Sequence, residues 1–170
     1  MIYQLISKET TKLTKKEILK ICYLKNTHWK HGIKKQLDWF KNNIIDRDIH
    51  NLLLINKKIV GYTALKKRVY YSYQKKQNYL LFDTLIIDKK FRKKKLSGLL
   101  MYFNNEIIRK NNKLSFLICK SSQVNYYSKY NWEKLHNKKF KVCDHKFEKK
   151  GMVFNLRKLK YKFFTFHIHK

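Results

Sequence analysis

The sequence predicts an α/β fold with one mixed central sheet of about six to seven strands flanked by about four helices. Three observations carry this expectation. The chain has 170 residues, 44% of them apolar and 15% aromatic, enough for one domain with a core and too short for two of ordinary size. Short apolar runs of strand length alternate with segments whose apolar residues recur at helical spacing. The connections are Asn-Lys clusters, because the chain contains no Pro and four Gly.

In order, Tyr3 to Ile6 reads as a first strand, and Thr14-x-x-Glu17 matches a capping box that opens a helix carrying Ile18, Leu19 and Cys22. Ile33, Leu37, Phe40 and Ile44, spaced four, three and four, put one apolar face on a second helix. Residues 52–55 and 59–65 are apolar runs around the polar turn Asn56-Lys-Lys58, which predicts an antiparallel hairpin. From Tyr79 to Ile87 both alternating sets are mostly apolar, the pattern of a central strand covered on both faces, with Asp83 as the exception. After a basic stretch comes a helix in which Leu96, Leu100, Phe103 and Ile107 share a face. Leu114 to Cys119 is a short buried strand, Ser121 to Tyr130 a helix, and two further strands fall near Trp132 to Val142 and Met152 to Leu156.

A run of about 18 uncharged apolar residues is absent, and Met1-Ile-Tyr-Gln-Leu-Ile has none of the marks of a signal peptide. The expectation is a cytoplasmic protein with no transmembrane segment. Cys22, Cys119 and Cys143 are odd in number and form no CxxC pair, so reduced thiols are expected and neither a disulfide framework nor a zinc site. The formal net charge of +30 attracts polyanions at long range. The same charge is what an AT-rich coding sequence produces, since the chain is rich in Lys, Asn, Ile and Tyr and has a single Ala, Ala64. Lysines run through nearly every segment rather than one arm or helix, so charge alone names no partner.

The segment Asp83-Thr-Leu-Ile-Ile-Asp-Lys-Lys-Phe-Arg-Lys-Lys-Lys-Leu-Ser-Gly-Leu-Leu-Met101, placed on that order of elements, resembles the cofactor-binding core of the GNAT acetyltransferase superfamily. The resemblance covers about residues 50 to 135 of a single 1–170 domain. In the family a central strand leads into an Arg/Gln-x-x-Gly-x-Gly/Ala loop that opens a helix, where free amides and the helix dipole hold the CoA pyrophosphate. Here that loop is Arg92-Lys93-Lys94-Lys95-Leu96-Ser97, followed by Gly98, with Lys95 and Ser97 where Gly and Gly/Ala are usual. A second segment, Ser121 to Trp132, is similar to the family's helix ending in Tyr-x-x-x-Gly-Phe. Tyr127 and Trp132 keep the spacing, Asn131 replaces the glycine, and the family's Asn at the start of the segment is missing.

The resemblance implies acetyl-CoA as co-substrate, no metal, and transfer of an acetyl group to an amine in a ternary complex. An amine acceptor is mostly protonated at neutral pH, so a base is useful, and the resemblance gives that role to Asp83. Backbone amides of a splayed strand around Leu85, Ile86 and Ile87 would meet the developing oxyanion. Tyr127 would return a proton to the departing thiolate. The alternatives are plain structural ones: Asp83 pairing with a lysine, Tyr127 pinning the core through its hydroxyl, and residues 92–97 forming a solvated basic turn.

Acceptor choice is expected to depend on the first two helices, the hairpin beyond Leu65 and the last strands. These carry Lys, Tyr and His rather than a carboxylate cluster, which favours an amino sugar or nucleotide-linked amino sugar over a polycationic acceptor. The protein would act as a monomer or homodimer. A reading from another class, motivated by the altered loop glycines, is a GNAT-fold protein that holds RNA or another polyanion without catalysis. His167-Ile-His169 offers two ligands on a tail and reads as solvated rather than as a metal pair. The tail itself, Leu159 to Lys170, reads as a last strand or packing segment.

Overall fold

A computed structural model of the chain describes residues 2–143, 150–156 and 163–169. Its elements run β1 (Tyr3–Glu9), α1 (Lys15–Asn26), α2 (Ile33–Asn43), β2 (Ile49–Ile55), β3 (Lys58–Ser72), β4 (Lys75–Ile87), α3 (Leu96–Lys110), β5 (Ser115–Cys119), α4 (Val124–Ser128), β6 (Glu133–Lys134), β7 (Phe140–Val142), β8 (Lys150–Phe154) and β9 (Phe164–Phe166). This is the expected mixed α/β order. The strand number among the described residues exceeds six to seven because residues 132–142 split into β6 and β7 and the tail adds β9.

The chain divides into two compact units, one of Met1–Lys66 with Asp83–Asn104, the other of Lys67–Phe82 with Asn105–Lys170. Strands β3 and β4 and helix α3 run from one unit into the next.

In the first unit β1, β2, β3 and β4 are neighbours in that order. Strand alternation sends successive residues to opposite faces, and two cores result. Leu52, Tyr62, Ala64 and Ile86 meet Ile21, Cys22 and Leu24 of α1 and Phe40 of α2. Leu53, Ile55, Val60 and Ile87 meet Leu96 and Leu100 of α3. Close approach to that second core is what Gly61 permits: a Cβ there would stand 2.7 Å from Ile87 Cδ1 and 3.1 Å from Leu53 Cβ. The capping box forms as the sequence predicts, Glu17 N donating to Thr14 Oγ1 at 3.1 Å and Thr14 N to Glu17 Oε2 at 2.9 Å, worth about 1 kcal/mol.

Two helix faces differ from expectation. Leu19 is exposed, and the buried stripe of α1 is Ile21, Cys22, Leu24 and Lys25. On α3, Leu96 and Leu100 are buried but Phe103 and Ile107 only half so, while Asn104 and Asn105 are fully buried. The asparagines win those positions by hydrogen bonding. Asn104 Oδ1 accepts from Asn51 Nδ2 at 2.9 Å and from Thr63 Oγ1 at 3.0 Å, which offsets part of the penalty of burying these amides, although Asn104 Nδ2 and Asn51 Oδ1 are buried without a hydrogen-bond partner.

Both hairpins are longer than the apolar runs that announce them. Asn56 and Lys57 have φ of 47° and 64°, and Tyr73 and Gln74 have 48° and 62°, the paired left-handed residues of tight two-residue turns. Strand β3 thus continues through Lys66-Lys67-Arg68, and β4 begins at Lys75 rather than Tyr79.

The second unit orders β4, β5, β8 and β6 as neighbours, with β9 between β3 and β7. β4 and β5 are parallel over Leu80–Ser115 and Leu81–Phe116. Its core is aromatic: Tyr70, Tyr79, Phe116, Phe164 and Phe166 are buried together, Phe116 and Phe166 stacked with centroids 3.9 Å apart. β9 is the last strand expected in the tail; residues 159–162 and Lys170 of that tail lie outside the described residues. His167 is not a solvated residue, since it is half-buried, its carbonyl accepts from Tyr79 Oη at 2.9 Å and its Nε2 lies 3.5 Å from Cys143 Sγ. Cys22, Cys119 and Cys143 are all free thiols.

Candidate active site

Asp83 sits on β4 immediately before a break in the strand. Thr84 has φ of 63°, a left-handed conformation that a β-branched residue adopts at a cost of about 1–2 kcal/mol. The break turns Asp83, Thr84 and Leu85 into half-exposed positions between the buried Phe82 and Ile86. Asp83 does pair with a lysine: Lys66 Nζ of β3 stands 3.0 Å from Asp83 Oδ2.

A cleft of about 460 Å³ opens over that carboxylate, lined by Lys25, Trp29, Lys35, Trp39, Asp83 and Thr84, with His31 and Gln36 completing it. Its wall is set by helix geometry. Lys35 and Trp39 are four residues apart on α2 and therefore on one face, and Gln36 Nε2 donates to Trp29 O at 2.8 Å, tying the α1–α2 loop down. Gly32, with φ of 87°, starts α2, and its amide donates to Asn26 Oδ1 at 2.9 Å.

Charge is concentrated here. Lys25 and Lys66 are each only 6% exposed. Lys25 Nζ lies 3.3 Å above the Trp39 ring centre and Lys66 Nζ 5.1 Å from it, so one indole faces two ammonium groups. Burial lowers the pKa of Lys25 to about 8; Asp83 and Cys22 oppose that shift and Lys66 adds to it. Behind the cleft, His50 accepts or donates at both ring nitrogens, 2.9 Å from Thr10 Oγ1 and 2.8 Å from Tyr62 Oη. Burial and the Lys25 charge lower its pKa to about 4, leaving a neutral imidazole at physiological pH.

Further along, the basic loop has the backbone of a glycine-rich turn without the glycines. Lys93 and Lys95 have φ of 65° and 57°, and α3 begins at Leu96. The loop is pinned from within: Lys90 N donates to Asp88 Oδ1 at 2.9 Å, Arg92 Nε to Ile87 O at 3.1 Å, and Phe91 packs against the Leu53–Ile87–Leu100 core. The side chains of Lys93, Lys94 and Lys95 are exposed, while Ser97 and Gly98 are half-buried in the first turn of α3. That first turn leaves amides without intrahelical acceptors. Ile86 and Ile87 are buried, and Asp88 N donates to Val60 O at 2.8 Å, which keeps the strand end in the sheet.

In the second unit, Tyr127 lies on α4 with its ring edge-on to Phe82 and Trp132 at 6.1 and 6.4 Å. Burial raises its phenol pKa, with Cys119 and Tyr126 adding to the shift, so the hydroxyl stays protonated and able to donate. Asn131 has φ of 62°, the left-handed residue its place in the motif requires, and Trp132 N returns to Tyr127 O at 3.4 Å. Trp132 is buried, its Nε1 donating to Asn105 Oδ1 at 3.0 Å.

The sequence singles out Asp83, Tyr127 and the basic loop as candidates; it does not single out Lys25, Trp29, Lys35, Trp39 or Lys66, which the structure places at or beside the Asp83 carboxylate. The first two helices were expected to govern acceptor choice, and four of these five come from them or their connection. Lys25 gave no signal because its neighbours Lys20, Lys30 and Lys34 look the same in sequence.

The chain matches no protein-family model and no curated protein sequence. Among solved structures it is similar to the GNAT family N-acetyltransferase YhbS from Escherichia coli in complex with CoA, at 12% identity and a TM-score of 0.72, with 99% of this chain and 92% of that one covered. It is also similar to an acyl-CoA N-acyltransferase from Pseudomonas aeruginosa at 14% identity and a TM-score of 0.66, covering 89% of this chain and 99% of that one. A third is an aminoglycoside 6′-N-acetyltransferase complexed with coenzyme A, at 10% identity and a TM-score of 0.57, covering 87% and 94%. These likenesses agree with the order of elements: the chain has the fold of the GNAT N-acetyltransferases.

Proposed function

We propose that the protein is an acetyl-CoA-dependent N-acetyltransferase acting on the primary amine of a small molecule, an amino sugar or nucleotide-linked amino sugar being the class favoured. One observation supports this most: Lys95, where the family's first glycine is usual, holds a left-handed φ of 57° just ahead of α3, the conformation that glycine favours in a turn leading into an anion-binding helix start. CoA is bound by two of the structural neighbours. Acetyl-CoA supplies the activated acyl group.

Loop amides from Lys93 to Ser97 would hold the pyrophosphate, with the cations of Arg92, Lys93, Lys94 and Lys95 beside it; the amides of Arg92 and Gly98 already donate to Lys89 O and Lys95 O at 3.3 and 3.0 Å. Leu85, Ile86 and Ile87 would supply strand amides next to the break at Thr84. Asp83 would draw in the protonated amine and take its proton, directly or through one water. In this role its ion pair with Lys66 keeps the carboxylate oriented while one edge stays open to the cleft. Tyr127, held protonated by its apolar cage, would act as the acid.

The test is thiol release: protein mixed with acetyl-CoA and a panel of amines, with CoA thiol followed over time. Acceptor-dependent release that Tyr127→Phe slows without weakening acetyl-CoA binding supports the reading; no release with any amine counts against it. Exposed Lys93, Lys94 and Lys95 also suit a non-catalytic polyanion binder. Gel-shift affinity for RNA that falls steeply with salt, combined with no CoA binding, would favour that second reading.

A further inference from the structure

The cleft over Asp83 holds more positive than negative charge. Lys25 and Lys66, both 6% exposed, share one lining carboxylate, Asp83, whose side chain is 30% exposed, and Lys35 adds a third ammonium at the rim. A buried cation without a matching anion is costly, because water that would solvate it has been removed and nothing of opposite charge replaces it. The Trp39 face, 3.3 Å from Lys25 Nζ, recovers a fraction of that loss, and the lowered proton affinity of Lys25 shows that the rest remains. Such a cleft, with three ammonium groups against one carboxylate, is short of negative charge.

We infer that the acceptor is a small amine that also carries an anionic group, a phosphate or a carboxylate, with the anion set against Lys25 and Lys35 and the amine against Asp83. This rests on the N-acetyltransferase reading for the role of the cleft, although the anion site itself stands on the charges alone. A dication brings like charge to three ammonium groups and is disfavoured, which separates this cleft from one built for polycationic acceptors. Trp29 and Trp39 provide flat walls for the body of the molecule, and Gln36 holds Trp29 in place through its backbone carbonyl.

The experiment is tryptophan fluorescence, since Trp29 and Trp39 line the cleft and Trp132 is buried in the other unit. The probes are ethanolamine, O-phosphoethanolamine, β-alanine and putrescine, titrated at about 0.15 M salt, with Trp39→Phe identifying the responding ring. At least one of the two anionic amines should quench saturably with a Kd tenfold or more below that of ethanolamine, and putrescine should be weaker still. Which of phosphoethanolamine and β-alanine binds better identifies the anion as phosphate or carboxylate. Lys35→Gln, at an exposed position, should remove most of the tenfold advantage by weakening the anionic amine, and should not weaken ethanolamine, from which it removes a like charge.

Equal Kd values for ethanolamine and both anionic amines, tighter binding of putrescine, no saturable quench by either anionic amine, or an advantage that survives both Lys35→Gln and Lys25→Met would each overturn the inference. None of these readouts needs acetyl-CoA. Failure here with acetyl-CoA binding intact leaves the transferase reading standing, whereas anion binding without acetyl-CoA binding removes that reading and keeps the anion site alone, without an acceptor's role for its ligand.

Discussion

Lys66 Nζ lies 3.0 Å from Asp83 Oδ2, and the lysine is much the more buried of the two, 7% against 30% side-chain exposure. The carboxylate therefore has one edge committed to the fold and one presented to the cleft. Asp83→Asn should do two things at once: lower acetyl transfer by about 100-fold or more through loss of the proposed base, and destabilise the fold by about 2 kcal/mol because Lys66 is left without its anion. Denaturant melts of Asp83→Asn, Lys66→Met and the double variant check this. The double variant should recover most of the lost stability and none of the activity.

The second prediction concerns pH. Lys25 has a folded-state pKa of about 8 against a usual lysine value of 10.5, so between those limits the unfolded chain binds more protons than the native one. Stability should rise with pH across that window, by up to about 1.4 kcal/mol per pH unit at its steepest. The gain is bounded above pH 10, where the buried phenols of Tyr62, Tyr79 and Tyr127, all with raised pKa, begin to oppose it. Melting temperatures from pH 7 to 10 should climb for the wild type and stay flatter for Lys25→Met.

His50 gives the same sign at lower pH. Its folded pKa of about 4 lies below the usual 6.5, so stability falls as pH drops from 6.5 toward 4 and the unfolded chain takes up the proton first. His50→Gln should flatten that acid limb in the same melting experiment.

Gly61→Ala should destabilise by about 1 kcal/mol or more, since its Cβ would fall 2.7 Å from Ile87 Cδ1 and 3.1 Å from Leu53 Cβ and force the Ile87 side chain out of its place in the core. Asn131 provides a contrasting case. Asn131→Gly should be neutral within about 0.5 kcal/mol and Asn131→Ala should cost about 1 kcal/mol, because φ of 62° at the end of α4 suits Gly and Asn but not Ala.

Much of this fold could be read from the sequence where local chemistry is self-sufficient. The Thr14–Glu17 capping box, the α2 stripe ending in Phe40, and the Tyr127-to-Trp132 spacing with Asn131 at a left-handed position each depend on a few adjacent residues. What escaped depends on distant ones. Asn104 and Asn105 occupy core positions of α3 only because Asn51, Thr63, Tyr130 and Trp132 supply their hydrogen bonds, and nothing in the helix itself announces that. Strand β3 was cut short at Leu65 because Lys66-Lys67-Arg68 look solvated, yet Lys66 and Arg68 are buried. Lys25 was hidden for a related reason: in a chain with 41 basic residues, a lysine packed on Trp39 looks like the rest.

The most direct test of the central claim is calorimetric titration of the protein with acetyl-CoA at two salt concentrations, with desulfo-CoA and ATP as controls. Saturable one-to-one binding of acetyl-CoA that persists at the higher salt, where ATP binding fades, is the result predicted from the left-handed backbone at Lys93 and Lys95. Binding that is absent, or that disappears with salt as ATP binding does, would contradict it and leave the loop as a basic surface alone.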